Sequence, residues 1–104
     1  DCRIAIMTLY NPYRNMDYEI SAGGITVNIG QYAEEKISQA NTIISTVCKE
    51  KNIVLADCYE AFASSNDIVL NNQNAENYID PDDHPTAVGQ QLIADVFIEA
   101  LFTK

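Results

Sequence analysis

The chain has 104 residues, 47% of them hydrophobic, and a formal net charge of −9. Its length suits one domain, and it has neither the polar bias of a disordered segment nor the run of roughly 20 apolar residues that a membrane span needs. Residues 52 to 104 carry nine acidic side chains against one basic side chain, Lys104. This balance argues against nucleic acid and anionic membrane surfaces as partners.

The first predicted element is a buried strand. Residues 3–9 form a nearly continuous apolar run that ends at the turn signal Tyr10-Asn11-Pro12. Such a run is typical of a strand covered on both faces, as in the parallel sheet of an α/β fold. Residues 13–30 follow without a sustained period, so both an ordinary surface connection and a substrate-lining loop fit them.

Residues 31–51 have the clearest helical pattern. Glu34 and Glu35 are expected in the first turn and Lys49 and Lys51 in the last, which matches the helix dipole. The apolar stripe that should cover a sheet is Ala33, Ile37, Ala40, Ile43, Ile44 and Val47.

The three cysteines form no CxxC pair, so no disulfide framework follows and the redox compartment stays open. Cys48 falls on or next to the apolar stripe and is expected to be a small core residue.

A second apolar run at residues 53–56 completes a strand, helix, strand pattern, which predicts two parallel strands joined by a right-handed crossover. Asp57-Cys58-Tyr59 then lies at the carboxyl end of that strand, the edge where open α/β sheets bind ligands. Residues 59–62 are expected to begin a short helix.

The last predicted helix begins after His84, with Thr86 as its N-cap. Gly89 in its first turn costs about 1 kcal/mol against alanine, so we expect a close backbone approach at this position. The residues predicted to form a broad buried face are Val88, Leu92, Ile93, Val96, Phe97, Ala100 and Leu101.

Two buried strands with two amphipathic helices cannot satisfy both edges of a sheet. The fold class predicted is therefore a partial α/β domain, whose sheet is completed by a missing N-terminal half or by a partner chain. The chain starts at Asp1 without a signal-like segment, so we interpret residues 1–104 as a processed product or part of something larger.

The only histidine, His84, follows Asp80, Asp82 and Asp83 closely. A carboxylate beside an imidazole selects its tautomer and stabilises its charged form, which suits a proton-transferring base. The alternatives are a solvated acidic turn and a calcium site, although the alternating ligands, turn glycine and distal glutamate of an EF-hand loop are missing.

Residues 80–94, Asp-Pro-Asp-Asp-His-Pro-Thr-Ala-Val-Gly-Gln-Gln-Leu-Ile-Ala, resemble the last conserved block of the SGNH, or GDSL-type, hydrolases. Residues 3–12, Arg-Ile-Ala-Ile-Met-Thr-Leu-Tyr-Asn-Pro, resemble the central strand and turn of bacterial members. The resemblance implies a flavodoxin-like three-layer α/β/α fold that hydrolyses esters or thioesters without a cofactor or a metal. The chain would be the C-terminal portion of one such domain.

The resemblance makes His84 the general base and Asp82 the residue that orients it, with Asp80 as the alternative; the position three before the histidine, an aspartate in the commonest form, is Pro81. Tyr10 and Tyr13 would help to line a pocket for an ester or lipid-like substrate. The Gly-Asp-Ser nucleophile block and the oxyanion-hole blocks of the family are missing from this sequence. We therefore expect the chain alone to be inactive.

The alternative function is a non-catalytic fragment or interaction module. A second copy of the chain, or swapped elements, would then complete the sheet.

Overall fold

The computed structural model describes residues 2–73 and 82–102. Within them the chain is a small α/β domain with a two-stranded parallel sheet, an antiparallel hairpin and three helices. In chain order the elements are β1 (Ala5–Met7), β2 (Glu19–Ala22), β3 (Ile25–Asn28), α1 (Ile29–Lys51), β4 (Val54–Ala56), α2 (Cys58–Ser64) and α3 (Ala87–Phe102).

The predicted parallel pair is confirmed. β1 pairs with β4 in a register that places Ala5 opposite Val54 and Met7 opposite Ala56. The N–H of Val54 donates to the carbonyl of Ile4 (3.1 Å), and the N–H of Thr8 donates to the carbonyl of Ala56 (3.0 Å). Both strands are shorter than the apolar runs that predicted them.

The hairpin of β2 and β3 was not predicted. Gly23 and Gly24 connect its strands, and both have positive φ values, 58° and 81°. Two such residues are what a type I′ hairpin turn requires. Most of the hairpin side chains are exposed or half-buried, so the sequence lacks the apolar alternation that reveals a strand.

Helix α1 begins at Ile29, two residues before the predicted start. Asn28 is its N-cap, and the Asn28 side chain accepts a hydrogen bond from the N–H of Gln31 (3.0 Å). Glu34 and Glu35 therefore lie beyond the first turn, which contains no acidic residue, and their predicted match to the helix dipole is wrong. The basic residues of the last turn are confirmed.

The core of the described chain is small. Phe62, Val69 and Leu70 form its buried centre, and Tyr10, Leu92 and Ile93 pack against it half-buried. Cys48 is buried as predicted, and so is Cys58, whose pKa is raised to about 11 by burial and then by the neighbouring Asp57. At neutral pH the Cys58 thiol is protonated and therefore a poor nucleophile.

Helix α3 is less buried than its composition predicted. Val88 is half exposed, which corrects its assignment to the covered face. The half-buried residues repeat at helical spacing, so the predicted face exists but is only partly covered: Leu92, Ile93, Val96, Phe97, Ala100 and Leu101.

Large apolar side chains remain uncovered on the parallel sheet. Ile4 is 55% exposed and Ile6 36% exposed, so within the described residues the first strand is not covered on both faces as predicted. On α1, Ile43 and Val47 are exposed, which corrects their assignment to the stripe that covers the sheet. The Cα radius of gyration is 15.5 Å, against about 13 Å for a compact domain of 100 residues. Among the described residues, no helix combines the length and apolarity needed to cross a membrane.

Candidate active site

The loop that carries His84 is held against residues 69–71, a segment that includes the core residues Val69 and Leu70. Leu70 and Pro85 form an antiparallel bridge. On either side of it, the N–H of Asn71 donates to the carbonyl of His84 (3.0 Å), and the N–H of Thr86 donates to the carbonyl of Val69 (2.9 Å). These backbone bonds fix the position of His84 relative to the core.

The first turn of α3 holds the other end of this loop. The Thr86 hydroxyl accepts the N–H of Gly89 (3.1 Å), which confirms the predicted N-cap, and donates to the carbonyl of Ile68 (2.7 Å). A Cβ at position 89 would lie 2.1 Å from the carbonyl oxygen of Val69. The predicted close backbone approach is therefore present, and it explains why glycine occupies this turn.

His84 and Asp82 form a hydrogen-bonded pair. Nδ1 of His84 lies 2.7 Å from Oδ1 of Asp82, which also accepts the backbone N–H of His84 at 3.2 Å. The second oxygen of Asp82, Oδ2, accepts a hydrogen bond from the side-chain amide of Asn71 (3.2 Å). Asn71, which sequence reasoning did not single out, thus orients the carboxylate that contacts the imidazole.

Asp83 and Asp80 are the other two aspartates close to His84 in the sequence. Asp83 directs its backbone carbonyl towards Tyr10, whose hydroxyl donates to it at 3.4 Å. Asp80, the alternative orienting residue, lies outside the described residues. Of the two aspartates that the structure describes here, it is Asp82 that binds the ring.

The charges of the pair stabilise each other. The hydrogen bond that Nδ1 of His84 donates to Asp82, and the negative charge of Asp82, raise the pKa of His84, and Asp83 adds a smaller effect in the same direction. The hydrogen bonds from the His84 ring and backbone lower the pKa of the Asp82 carboxyl. Both shifts favour an imidazolium beside a carboxylate.

The pair lies at the surface. The side chain of His84 is 81% exposed and that of Asp82 55% exposed. With Nδ1 bound to the carboxylate as its N–H, the neutral ring has its basic lone pair on Nε2. The exposed imidazole can therefore accept a proton from a group that approaches from outside the described residues.

The two tyrosines predicted to line a substrate pocket occupy different places. Tyr10 stacks on Phe62, with ring centroids 4.8 Å apart and 15° between the planes, and supports the His84 loop through Asp83. Burial and then the charge of Asp83 raise the pKa of the Tyr10 hydroxyl. Tyr13 lies in a turn, where its N–H donates to Asn11 (2.9 Å) and its carbonyl accepts from Met16 (3.0 Å). Their role towards a substrate stays a prediction.

Asp57, at the carboxyl end of β4, has a structural role. Its Oδ1 accepts the hydroxyl of Thr8 (2.9 Å) and the N–H of Glu60 (3.2 Å), which caps α2. The Thr8 hydroxyl in turn accepts the N–H of Tyr59 (2.9 Å). This cluster joins the ends of β1 and β4. Across residues 2–73 and 82–102, no three histidine, cysteine or acidic side chains are grouped so that they could hold a metal ion.

No family model, curated protein or solved structure matches the chain. The sequence motif and the geometry of the His84 loop are therefore the features that bear on function.

Proposed function

We propose that the chain is the C-terminal portion of an SGNH-type ester hydrolase, with His84 as general base and Asp82 as the residue that orients it. The observation that carries this proposal is the 2.7 Å contact between Nδ1 of His84 and Oδ1 of Asp82 in an exposed loop. The resemblance of residues 80–94 to the last block of that family supplies the reaction class.

In this mechanism the nucleophile is a serine supplied by a part of the enzyme that this sequence does not contain. Nε2 of His84 takes the hydroxyl proton as the serine attacks the acyl carbon, and gives it to the alcohol as the ester bond breaks. Water then attacks the acyl-serine, Nε2 takes its proton and returns it to the serine oxygen, and the carboxylic acid is released. Asp82 holds the N–H on Nδ1 and stabilises the imidazolium that forms. The amide of Asn71 limits rotation of the carboxylate, since it binds the oxygen that His84 does not use.

The uncovered surface of the parallel sheet supports the idea of a larger domain. Ile4 and Thr8 direct their backbone bonds to β4. Because these groups alternate along a strand, Ala5 and Met7 direct theirs to the opposite edge of β1. At Leu9 the side-chain amide of Asn41 takes both backbone groups, at 2.7 and 2.9 Å. An added strand would therefore pair with β1 at Ala5 and Met7 and end before Leu9.

Helix α1 also has exposed apolar side chains. Its polar residues Thr42, Ser45 and Thr46 line a groove together with Thr8 and Leu55. Ile43 and Val47 do not line that groove and are exposed, as is Ile6 on β1. We propose that the N-terminal half of the same hydrolase domain adds a strand to β1 and covers these apolar side chains.

Adjacent aspartates give a matched test in the full-length hydrolase, with a short-chain aryl ester as substrate. We expect His84→Ala and Asp82→Asn to lower kcat by roughly 10²- to 10⁴-fold, the range of general-base catalysis. Asp83→Asn, one residue away, should change it only a few-fold because the Asp83 side chain does not hold the ring.

Near wild-type turnover by His84→Ala would rule out the assigned base. Equal losses in Asp82→Asn and Asp83→Asn would rule out the orienting role of Asp82. If Asp82→Asn is active and Asp80→Asn is not, Asp80 is the orienting residue. The 104-residue chain by itself should show no turnover, and measurable hydrolysis by it would contradict the divided site.

The second candidate is an interaction module in which two copies pair through β1, and the exposed apolar side chains around that strand favour it. The net charge of −9 per copy opposes this association. Sedimentation in low and high salt separates the two proposals. A dimer that strengthens with salt supports the module, whereas a monomer that binds the N-terminal half supports the hydrolase.

A further inference from the structure

Two neighbouring cavities lie beside helix α2. The smaller, of about 140 Å³, lies between the turn after β1, α2 and residues 69–73, and the larger, of about 430 Å³, lies between the same turn and the first turns of α1. His84 and Asp82 line neither cavity, so both are separate from the candidate catalytic pair. The residues that line both cavities are Arg14, Asn15, Met16, Tyr59 and Ala63.

The smaller cavity suits an apolar group. Four buried apolar residues line it, namely Met16, Phe62, Val69 and Leu70. Among the described residues, Arg14 is the one charged residue in its wall. An engineered apolar cavity of about 150 Å³ accepts benzene, so a cavity of this size holds a group of about four to six carbon atoms.

The larger cavity is lined by charges of both signs, those of Arg14, Asp17 and Glu34. Both oxygens of Glu34 already accept hydrogen bonds, Oε1 from the Tyr59 hydroxyl and Oε2 from the side-chain amide of Asn11. Asp17 accepts one side-chain hydrogen bond on Oδ1 (2.8 Å), and Oδ2 can accept from a further donor. Asp17 is therefore the carboxylate of this wall that is better placed to bind a cationic group.

Arg14 brings a positive charge to the wall that the cavities share. Among the described residues it forms no ion pair with a carboxylate. The hydrogen bond to Glu34, and then burial, raise the pKa of the Tyr59 hydroxyl, and the charge of Arg14 acts in the opposite direction. Because Tyr59 lines both cavities, this effect indicates that the guanidinium lies near their shared wall. The planar set of N–H donors on a guanidinium matches a carboxylate.

We propose that the two cavities together bind a free α-amino acid with a compact apolar side chain. Arg14 binds its carboxylate, Asp17 binds its ammonium group, and its side chain packs against Met16 and Phe62 in the smaller cavity. A ligand with both charges matches Arg14 and Asp17 together, whereas a singly charged ligand leaves one of them without a counter-charge. This site does not depend on the proposed hydrolase chemistry.

Leucine and three analogues test each part of the proposal. Isocaproate lacks the ammonium group of leucine, isopentylamine lacks its carboxylate, and alanine lacks most of its side chain. Titration of the isotope-labelled chain, followed by the NMR signals of Met16 and Ala63, should give saturable shifts with leucine. Each analogue should bind about tenfold or more weakly, the factor that a charge-assisted hydrogen bond or the burial of two methylene groups contributes.

Charge variants assign the two polar contacts. Arg14→Gln should weaken leucine binding about tenfold without weakening that of isopentylamine, which has no carboxylate. Asp17→Asn should weaken leucine binding without weakening that of isocaproate, which has no ammonium group. Arg3→Gln and Glu19→Gln are the matched controls, because they remove the same charges outside both cavities, and they should leave leucine binding unchanged.

A third variant tests the cavities themselves. Ala63→Met fills the shared wall from α2 and should abolish leucine binding while both charges are retained. Ala61→Met is its control on the same helix, because Ala61 lines the groove between α2 and α3, and it should leave leucine binding unchanged.

Several results would overturn the proposal. Isocaproate or isopentylamine binding as tightly as leucine means that the site does not recognise a zwitterion, and equal affinities for alanine and leucine mean that the smaller cavity does not receive the side chain. Equal losses in Arg14→Gln and Arg3→Gln reduce the effect of Arg14 to net charge. The absence of saturable shifts means that water alone fills the cavities, and full leucine binding by a folded Ala63→Met variant places the ligand elsewhere.

Discussion

The substitution Gly89→Ala tests how α3 docks on the core. Alanine normally stabilises a helix interior by about 1 kcal/mol relative to glycine. Here the new Cβ would lie 2.1 Å from the carbonyl oxygen of Val69 and 3.0 Å from Cβ of Pro85. Relieving that overlap requires the helix to move away, at the roughly 1–3 kcal/mol typical of overpacking.

The same movement stretches the bond from the N–H of Thr86 to Val69, which contributes about 1 kcal/mol. When the gain of about 1 kcal/mol from helix propensity is subtracted from these two losses, the free energy of unfolding falls by about 2 kcal/mol. In a domain of this size it lowers Tm by roughly 8–16 °C. Gly23→Ala is the control, since φ there is +58° with no atom within 4 Å of the new Cβ, and the left-handed backbone alone costs about 1–2 kcal/mol.

Thermal unfolding followed by circular dichroism measures both variants. Hydrogen exchange at the N–H of Asn71, which binds the carbonyl of His84, gives a local readout. We expect faster exchange in Gly89→Ala and unchanged exchange in Gly23→Ala. A Gly89→Ala protein as stable as the wild type would refute the docking of α3 on Val69, and with it the placement of the His84 loop.

Three further predictions concern the same loop and the exposed sheet. An NMR titration should place the pKa of His84 above its ordinary value of 6.5, with Asp82→Asn lowering it and Asp83→Asn lowering it less; no shift in Asp82→Asn would contradict the pairing. Folding raises the pKa of His84 and lowers that of Asp82. The contribution of His84 to stability is therefore complete below about pH 6.5 and disappears as the pH rises through the raised pKa. The contribution of Asp82 to stability is present above its ordinary pKa of 3.8 and disappears as the pH falls through the lowered pKa. Thr86→Ala should lower the free energy of unfolding by about 1 kcal/mol in a denaturant titration, whereas Thr86→Ser should recover most of it; equal losses would exclude the cap. Ile4→Lys should change stability by less than about 0.5 kcal/mol, because the side chain is 55% exposed, and should weaken any self-association seen by sedimentation; a large loss of stability would mean that Ile4 is covered in the chain alone.

The sequence predicted the elements whose signals are local. The apolar runs and the stripe between them identified β1, α1 and β4, because burial on a sheet imposes these periods within one stretch of chain. Thr86 and Gly89 could be interpreted for the same reason: a cap lies next to the helix that it begins, and an unfavourable glycine in a helix indicates a neighbour too close for a side chain.

The features that were missed depend on exposure or on distance along the chain. The side chains of the hairpin of β2 and β3 are little buried, so its strands show no apolar alternation. The turn residues Gly23-Gly24 were its one signal in the sequence. Asn71 binds Asp82 across eleven positions, and sequence alone gives no reason to pair one asparagine of a polar loop with that aspartate. The hydrogen bond from Nδ2 of Asn72 to the carbonyl of Pro12 likewise joins residues sixty positions apart.

The exposed edge of β1 and the His84 pair fit one arrangement. Thr8 and Tyr10 follow the carboxyl end of β1, and Tyr10 reaches the carbonyl of Asp83. The loop with His84 therefore lies beyond the carboxyl ends of the parallel strands, the edge where α/β sheets place their reactive groups. If the proposed N-terminal half adds a strand parallel to β1, that strand ends at this same edge, and a serine that follows it lies on the side of the sheet that carries His84. In the proposed enzyme, completing the sheet and completing the catalytic site are thus a single event.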